Sequence, residues 1–272
     1  MTRYGCLTFL TDYGLEDGFV AACHGVALRI APTVRVIDVT HLVPPGDVRR
    51  GAAVLAQTLP SMPPAVHVAV VDPGVGTARR AVAVQAGQSV LVGPDNGLLS
   101  WAVTALGGPG RAVQLTNAEL FNHPVSATFH GRDIFMPVAA RLANGLDVAA
   151  AGTRLEPAEL IALPEPAVRI GDGEADGEVL SVDRFGNIQL SIPADAAARI
   201  GIGAGGSMTV RCNRRLLTVP YLETFGAAPP GELVAFADSA GLVALAVSHG
   251  DAATMLGLPP GAHVRISPAR AL

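Results

Sequence analysis

The segment His67-Val68-Ala69-Val70-Val71-Asp72-Pro73-Gly74-Val75-Gly76-Thr77-Ala78-Arg79-Arg80 runs from an apolar strand into a carboxylate, a glycine-rich bend and two guanidiniums. A buried strand that delivers Asp72 and Arg79 to its own C-terminal edge puts charge where open α/β sheets build active sites. Pro73 stops the ladder, and Gly74 and Gly76 permit backbone conformations closed to residues with a Cβ. The turn residues account for the geometry but not for the charge. An Asp-Arg ion pair that holds a tight loop together and a catalytic pair are equally good readings of this segment alone.

Other loops share that address after a strand. Thr11-Asp12-Tyr13-Gly14 closes the first strand and leads through Asp17 into the first helix. A carboxylate at Asp12 can accept two hydrogen bonds at once, which suits the vicinal hydroxyls of a ribose. A helix N-cap describes Asp17 better than Asp12, and both stay among the substrate-binding candidates. Gly93-Pro94-Asp95-Asn96-Gly97 consists of ordinary turn formers and reads as structure. Thr128-Phe129-His130-Gly131-Arg132-Asp133 sets a histidine, an arginine and an acid just before a helix, with Asp133 a plausible cap. His41, His67, His123, His249 and His263 lack such company and read as structural.

Further on, Asp183-Arg184-Phe185-Gly186-Asn187 joins two strands. Its residues suit an ordinary hairpin, the reading chemistry alone prefers. They equally allow Phe185 to stack on a flat base, Asn187 to pair with its polar edge and Asp183 to bind a cation. The loop Asp238-Ser239-Ala240-Gly241 is similarly ambiguous.

Composition narrows the chemistry. The 272 residues are 50% hydrophobic and 15% charged, a globular balance with room for a substantial core. No apolar run approaches the roughly 18 residues of a membrane span. The N-terminus enters a strand-like run at once, so neither a membrane protein nor a secreted one is expected. Cys6, Cys23 and Cys212 show no ligand spacing and read as buried thiols in a reducing cytoplasm. All 19 basic residues are arginine. The lack of lysine removes Schiff-base chemistry and the P-loop lysine. A net charge of −4 with dispersed arginines argues against a nucleic-acid surface.

The elements that must position these loops follow from periodicity. Residues 6–11, 34–39 and 65–71 read as buried strands, separated by helices beginning near Phe19 and after a cap at Asp47. Strands at 81–86 and 89–93 and a helix over 133–142 continue the pattern. The first half is thus expected to be a mostly parallel, three-layer α/β domain, residues 1–160. Residues 161–176, rich in Pro, Gly and acids, suggest a linker. Short alternating strands at 178–183, 187–192, 207–212, 215–219, 232–237, 242–248 and 263–267 then indicate a smaller antiparallel β-barrel domain, residues 177–272.

Taken in order, the segments TDYG, DVTHLVPPGDVRRGA, VVDPGVGTARR, GPDNGLL, TFHGRDIF, DRFGNIQLSI and SAGLVALAV resemble the S-adenosylmethionine (SAM) hydroxide adenosyltransferases, relatives of the fluorinating and chlorinating enzymes. Seven motifs in register cover nearly the whole chain. The resemblance implies an α/β domain, a C-terminal β-barrel and a homotrimer with sites between neighbouring subunits. It implies attack of water or hydroxide on C5′ of SAM, giving adenosine and L-methionine. It carries the family's catalytic Asp-Arg-His set onto Asp72, Arg79 and His130, with Arg79 chosen over Arg80 by its spacing from the aspartate. Carried over likewise, Asp12 would hold the ribose, Asp183 and Ser239 the methionine end, and Phe185 with Asn187 the adenine, with Val247 contributing backbone contacts.

That chemistry suits the residues. A neutral thioether leaves a sulfonium without a general acid, whereas water, with a pKa of about 15.7, needs a cationic environment to become hydroxide. Arg79 can stabilise hydroxide, His130 can donate or receive its proton, and Asp72 can orient both. No metal or other cofactor is expected. Asp72 stands where the halogenating relatives have tyrosine, and a carboxylate there would repel a halide. Ala240 and Gly46 replace an arginine and a tryptophan of those relatives, so the methionine-end contacts differ. The competing readings are a halide-using adenosyltransferase, a non-catalytic adenosine or SAM binder, and a purely structural trimer.

Overall fold

Runs of β-branched and apolar residues, punctuated by Gly and Pro, form strands where both faces can be covered. The computed structural model describes residues 4–269, and the chain divides into two units between Pro164 and Glu165. In the first unit lie β1 (Cys6–Thr11), β2 (Arg35–Thr40), β3 (Val66–Val70), β4 (Ala81–Ala86), β5 (Ser89–Pro94), β6 (Pro109–Leu115) and β7 (Gly152–Leu155). They form one sheet in the order β2-β1-β3-β5-β4-β6-β7. The first four in that order are parallel. β4 is antiparallel to β5 and β6 to β4, so β6 again points the way of β5. The sheet is therefore mostly parallel, as expected.

Alternation along the strands splits the core into two layers. Leu7, Phe9, Val66 and Val68 pack with helices α1 (Phe19–Ile30) and α4 (Met136–Ala143). Leu10, Ala69, Val71 and Leu91 pack with α2 (Val48–Thr58) and α3 (Ser100–Ala105) on the other face. Asp47 caps α2 by accepting from the Arg50 amide at 2.9 Å. Asp17 does not cap α1, because Gly18 takes the cap position and its helix starts with no side-chain cap. Asp133 is no cap either. It lies inside a π turn, Gly131–Phe135, that runs into α4, and its buried carboxylate serves other partners.

The second unit holds β8 (Val168–Gly171), β9 (Glu174–Val182), β10 (Ile188–Pro193), β11 (Gly206–Cys212), β12 (Arg215–Tyr221), β13 (Leu233–Ala237), β14 (Leu242–Val247) and β15 (His263–Pro268). Short helices α5 (Ala194–Arg199) and α6 (Ala252–Leu256) complete it. The order β10-β14-β13-β12-β11-β15-β9 closes on itself through β10–β9, with β8 added outside β9. Val179, Leu190, Val210, Leu245 and Ile266 fill the interior. The barrel is mixed rather than purely antiparallel, since β12 and β13 pair in parallel through Tyr221 and Ala235. The connection over residues 222–232 is too long to act as a hairpin, which frees β13 to return in the direction of β12.

One buried histidine sets an acid limit on the fold. His67 on β3 is 1% exposed, its Nδ1 lies 2.8 Å from Thr8 Oγ1, and burial pulls its pKa down to about 4. The unfolded chain binds that proton near pH 6.5 while the native state refuses it. Stability is therefore complete above about pH 6.5 and falls by roughly 3 kcal/mol as pH drops towards 4. Urea midpoints from pH 7 to 4.5 should fall less steeply in His67→Phe than in the wild type; equal slopes would refute the assignment.

Candidate active site

The loops after β1, β2 and β3 meet at the C-terminal edge of the parallel strands. Asp12, just past β1, accepts from the Gly46 amide at 2.9 Å through Oδ2. Gly46, in the loop after β2, lies where a Cβ would be 3.9 Å from the Pro73 side chain. Gly76 has φ +77°, and its Cα faces the Ala127 carbonyl so closely that any side chain would overlap it. Glycine is required there on both counts. The TDYG, PPGD, DPGVG and TFHGRD segments are thereby neighbours.

Asp72, Arg79 and His130 form one chain of contacts. Arg79 Nε donates to both carboxylate oxygens of Asp72 at 3.0 Å, and its Nη2 donates to Asp72 Oδ2 at 2.5 Å. The same Nη2 lies 2.7 Å from His130 Nδ1. Both carboxylate and guanidinium are largely buried, with side chains 6% and 11% exposed. The guanidinium also lies over the Phe135 ring, 5.1 Å from its centroid. A guanidinium only donates, so His130 Nδ1 must accept, and the ring is neutral with its proton on Nε2. Burial, and then the positive charge of Arg79, lower the His130 pKa below 6.5 against the opposing pull of Asp72 and Asp133. The arrangement leaves a neutral imidazole that accepts from a cation at Nδ1 and offers its Nε2–H on the opposite side.

Two neighbours fix this corner. Tyr13 is partly buried beside it: desolvation raises its pKa, with Cys23, Asp12 and Asp72 adding to the rise and Arg79 opposing it. A Cβ at Gly131 would collide with the Tyr13 hydroxyl, so the residue after His130 has to be glycine. Asp133 is fully buried and accepts from Asn122 Nδ2 at 2.9 Å, the Ser126 amide at 2.9 Å and Arg132 at 2.7 and 2.8 Å. Burial alone would raise its pKa, but Arg132, Asn122 and Ser126 more than compensate and hold it below the usual 3.8. This carboxylate ties down the π turn that His130 precedes.

Arg80 belongs to a different cluster. Its Nε donates to Asp95 at 2.8 Å and its Nη2 to the Glu159 carbonyl, while Asp95 Oδ1 accepts from the Ile161 amide at 2.9 Å. Asn96 donates to the Val71 carbonyl at 2.9 Å, securing the end of the β3 segment. The GPDNG turn is thus a brace, in keeping with its structural reading.

In the second unit a cleft of about 650 Å³ is lined by Asp183, Phe185, Asn187, Phe225 and Val247, with the Ser248–Gly250 turn at its edge. That volume is within the usual range for small-molecule sites. Asp183 closes its own turn, accepting from the Phe185 and Asn187 amides at 2.8 and 2.9 Å and from Asn187 Nδ2 at 2.8 Å. The hairpin reading of this segment is therefore correct in geometry. It still leaves Asn187 Oδ1 and the 70% exposed Phe185 ring for a planar ligand. The Val247 carbonyl accepts from the Gly250 amide at 3.0 Å and retains a second lone pair. Ser239 is exposed in its turn and is not among the residues lining this cleft. Asp17 is exposed before α1.

Sequence reasoning missed Tyr13, Phe135 and Phe225. Only the first two had a signal, as members of TDYG and TFHGRDIF; Phe225 lies in a loop without periodicity.

Comparison with known proteins finds relatives of both units. The profile of the SAM hydroxide adenosyltransferase N-terminal domain matches residues 7–152, and that of its C-terminal domain matches residues 177–265. A protein of Salinispora arenicola named (R)-S-adenosyl-L-methionine hydrolase is 57% identical over 265 residues, covering 96% of this chain and 97% of its own. A fluorinase of Nocardia brasiliensis is 27% identical over 294 residues, covering 97% of each chain. The crystal structure of an uncharacterized conserved protein from Thermotoga maritima superposes with a TM-score of 0.91 at 36% identity, covering 96% of this chain and 99% of that one. With both domain profiles matched in order over most of its length, the chain belongs to the SAM hydroxide adenosyltransferase family.

Proposed function

We propose that this protein hydrolyses S-adenosyl-L-methionine to adenosine and L-methionine, with Asp72, Arg79 and His130 activating the water. The observation that carries the reading is Arg79 Nη2 held between the Asp72 carboxylate and His130 Nδ1. Arg79, bonded at Nδ1, polarises the ring by its charge, and the Nε2–H on the far side of His130 donates to the hydroxide oxygen. With Nδ1 engaged by Arg79 and Nε2 already protonated, the ring offers no lone pair to the water, so the water's proton goes to solvent. Hydroxide then attacks C5′ in line, the C5′–S bond breaks, and its electron pair stays on sulfur as the neutral thioether of methionine. Alignment of the reacting atoms at about 3 to 3.5 Å supplies much of the remaining acceleration.

Asp12 Oδ1 is the acceptor for the ribose hydroxyls, and the Phe185 ring with Asn187 Oδ1 serves the adenine. The methionine end falls to Asp183, Ser239 and the loop carrying Asp17, and Val247 contributes its carbonyl. The hydrolases among the relatives are named for the (R) form of SAM, and the same sulfonium epimer is the substrate assigned to this chain. The protein acts as a homotrimer, with sites between neighbouring subunits. It works in the cytoplasm, in keeping with three buried free thiols. No helix among the described residues is long and apolar enough to cross a membrane.

Purified protein incubated with SAM, with and without chloride, should release adenosine and methionine at a rate independent of chloride. Formation of 5′-chloroadenosine would favour the halide-using reading. Copurified adenosine without either product would favour the binder. As pH falls through the depressed His130 pKa, kcat/KM should fall because the ring takes a proton on Nδ1 and loses its bond from Arg79; a profile with no acid limb would refute that role.

A further inference from the structure

A second cluster lies in the first unit and uses none of the Asp72, Arg79 and His130 set. His24 on α1, Asp38 on β2 and His41 just past β2 bring two imidazoles and a carboxylate together, with one ligand atom from each within 4.8 Å of the others. His24 Nε2 is 2.8 Å from Asp38 Oδ1 and His41 Nε2 is 3.1 Å from the same oxygen. Only the first contact is a hydrogen bond. His41 is 3% exposed, yet its Nε2 has no hydrogen-bond partner among the described residues. A buried polar nitrogen aimed at a carboxylate without bonding to it is a costly arrangement for a purely structural histidine.

The outer nitrogen explains the inner one. His41 Nδ1 is 2.9 Å from Thr11 Oγ1, and when Nδ1–H donates there, Nε2 carries a lone pair directed towards Asp38. In that tautomer two lone pairs face each other, and a cation between them turns their repulsion into coordination. An imidazole whose far nitrogen is held by a hydrogen bond is the usual arrangement of a metal-bound histidine. Tetrahedral ligand atoms about 2 Å from Zn²⁺ are separated by about 3.3 Å. The separations of 2.8 and 3.1 Å to Asp38 need only small side-chain adjustments to match.

We infer that His24 Nε2, Asp38 and His41 Nε2 form a binding site for a divalent transition metal of the Zn²⁺ class. Two nitrogen ligands and one oxygen favour such an ion over Mg²⁺ or Ca²⁺, which take oxygen ligands. The rim is open to solvent, with His24 and Asp38 side chains 35% and 41% exposed, so the metal has an entry path and water completes its shell. The position is mechanically useful. The Gly14 amide donates to the His41 carbonyl at 2.8 Å, and Thr11 immediately precedes Asp12. A metal here would fasten α1 to the end of β2 and brace the TDYG loop.

The test is titration of chelator-stripped protein with Zn²⁺, and with Co²⁺ as an optical probe. One Zn²⁺ per chain should bind, the Co²⁺ form should show a visible ligand-field band, and excess Mg²⁺ should not compete. Loss of an orienting outer partner alone costs about 10- to 100-fold in metal affinity, so His24→Ala should weaken Zn²⁺ binding by more than about 10-fold. Asp38→Asn should do the same, and both replaced side chains are partly exposed, so the fold should tolerate them. Absence of stoichiometric binding, equal binding by wild type and both variants, or effective competition by Mg²⁺ would each overturn the assignment. The outcome is independent of SAM turnover.

Discussion

Arg79→Ala should lower kcat for adenosine formation by about 10²- to 10³-fold, the usual cost of removing one preorganised electrostatic group from a reaction centre. The argument rests on how little else in this corner can replace it. Asp72 supplies negative charge and His130 a neutral ring, so Arg79 is the sole cation of the three. Its removal also takes from Asp72, 6% exposed, the ion pair that holds its charge. Activity should therefore be read per folded molecule, with melting curves beside the kinetics. Arg79→Lys should rescue poorly, because an ammonium cannot grip the carboxylate as a fork while also reaching His130. Rates within threefold of wild type for either variant would remove Arg79 from the chemistry.

Asp133→Ala should be the most destabilising single change near the site, by about 3 to 5 kcal/mol. It empties a fully buried position that accepts from three residues, and it leaves the Asn122 amide and Ser126 N–H without their acceptor. The stabilisation depends on the ionised form. With the folded pKa held below 3.8, it is present above that value and lost as pH falls through the lower folded value. Because the same carboxylate anchors the π turn after His130, kcat should fall while the midpoint drops. A urea midpoint within error of wild type at pH 7 would show that Asp133 is dispensable.

Much of the architecture was readable from periodicity. The strands with continuous apolar runs, such as 65–71, and the alternating strands of the barrel lie where the pattern puts them. What failed depends on single bonds. Asp17 and Asp133 have the right residue type for caps, yet an extra Gly18 and a π turn moved the helix starts away from them. The parallel β12–β13 contact had no local signature, because pairing direction is set by how the loop over residues 222–232 packs. In the site, residue type and strand-end position singled out Asp72, Arg79 and His130. Their shared Nη2 contact, and the meeting of His24, Asp38 and His41, arise from residues far apart in the chain and needed the fold to be seen.

The central claim is that water oxygen becomes bonded to C5′. Turnover of SAM in water enriched in the heavy oxygen isotope, followed by mass spectrometry, tests it most directly. The account predicts adenosine that carries the label in its 5′-hydroxyl, beside unlabelled L-methionine. Unlabelled adenosine, or a 5′-halogenated nucleoside as the main product, would contradict it.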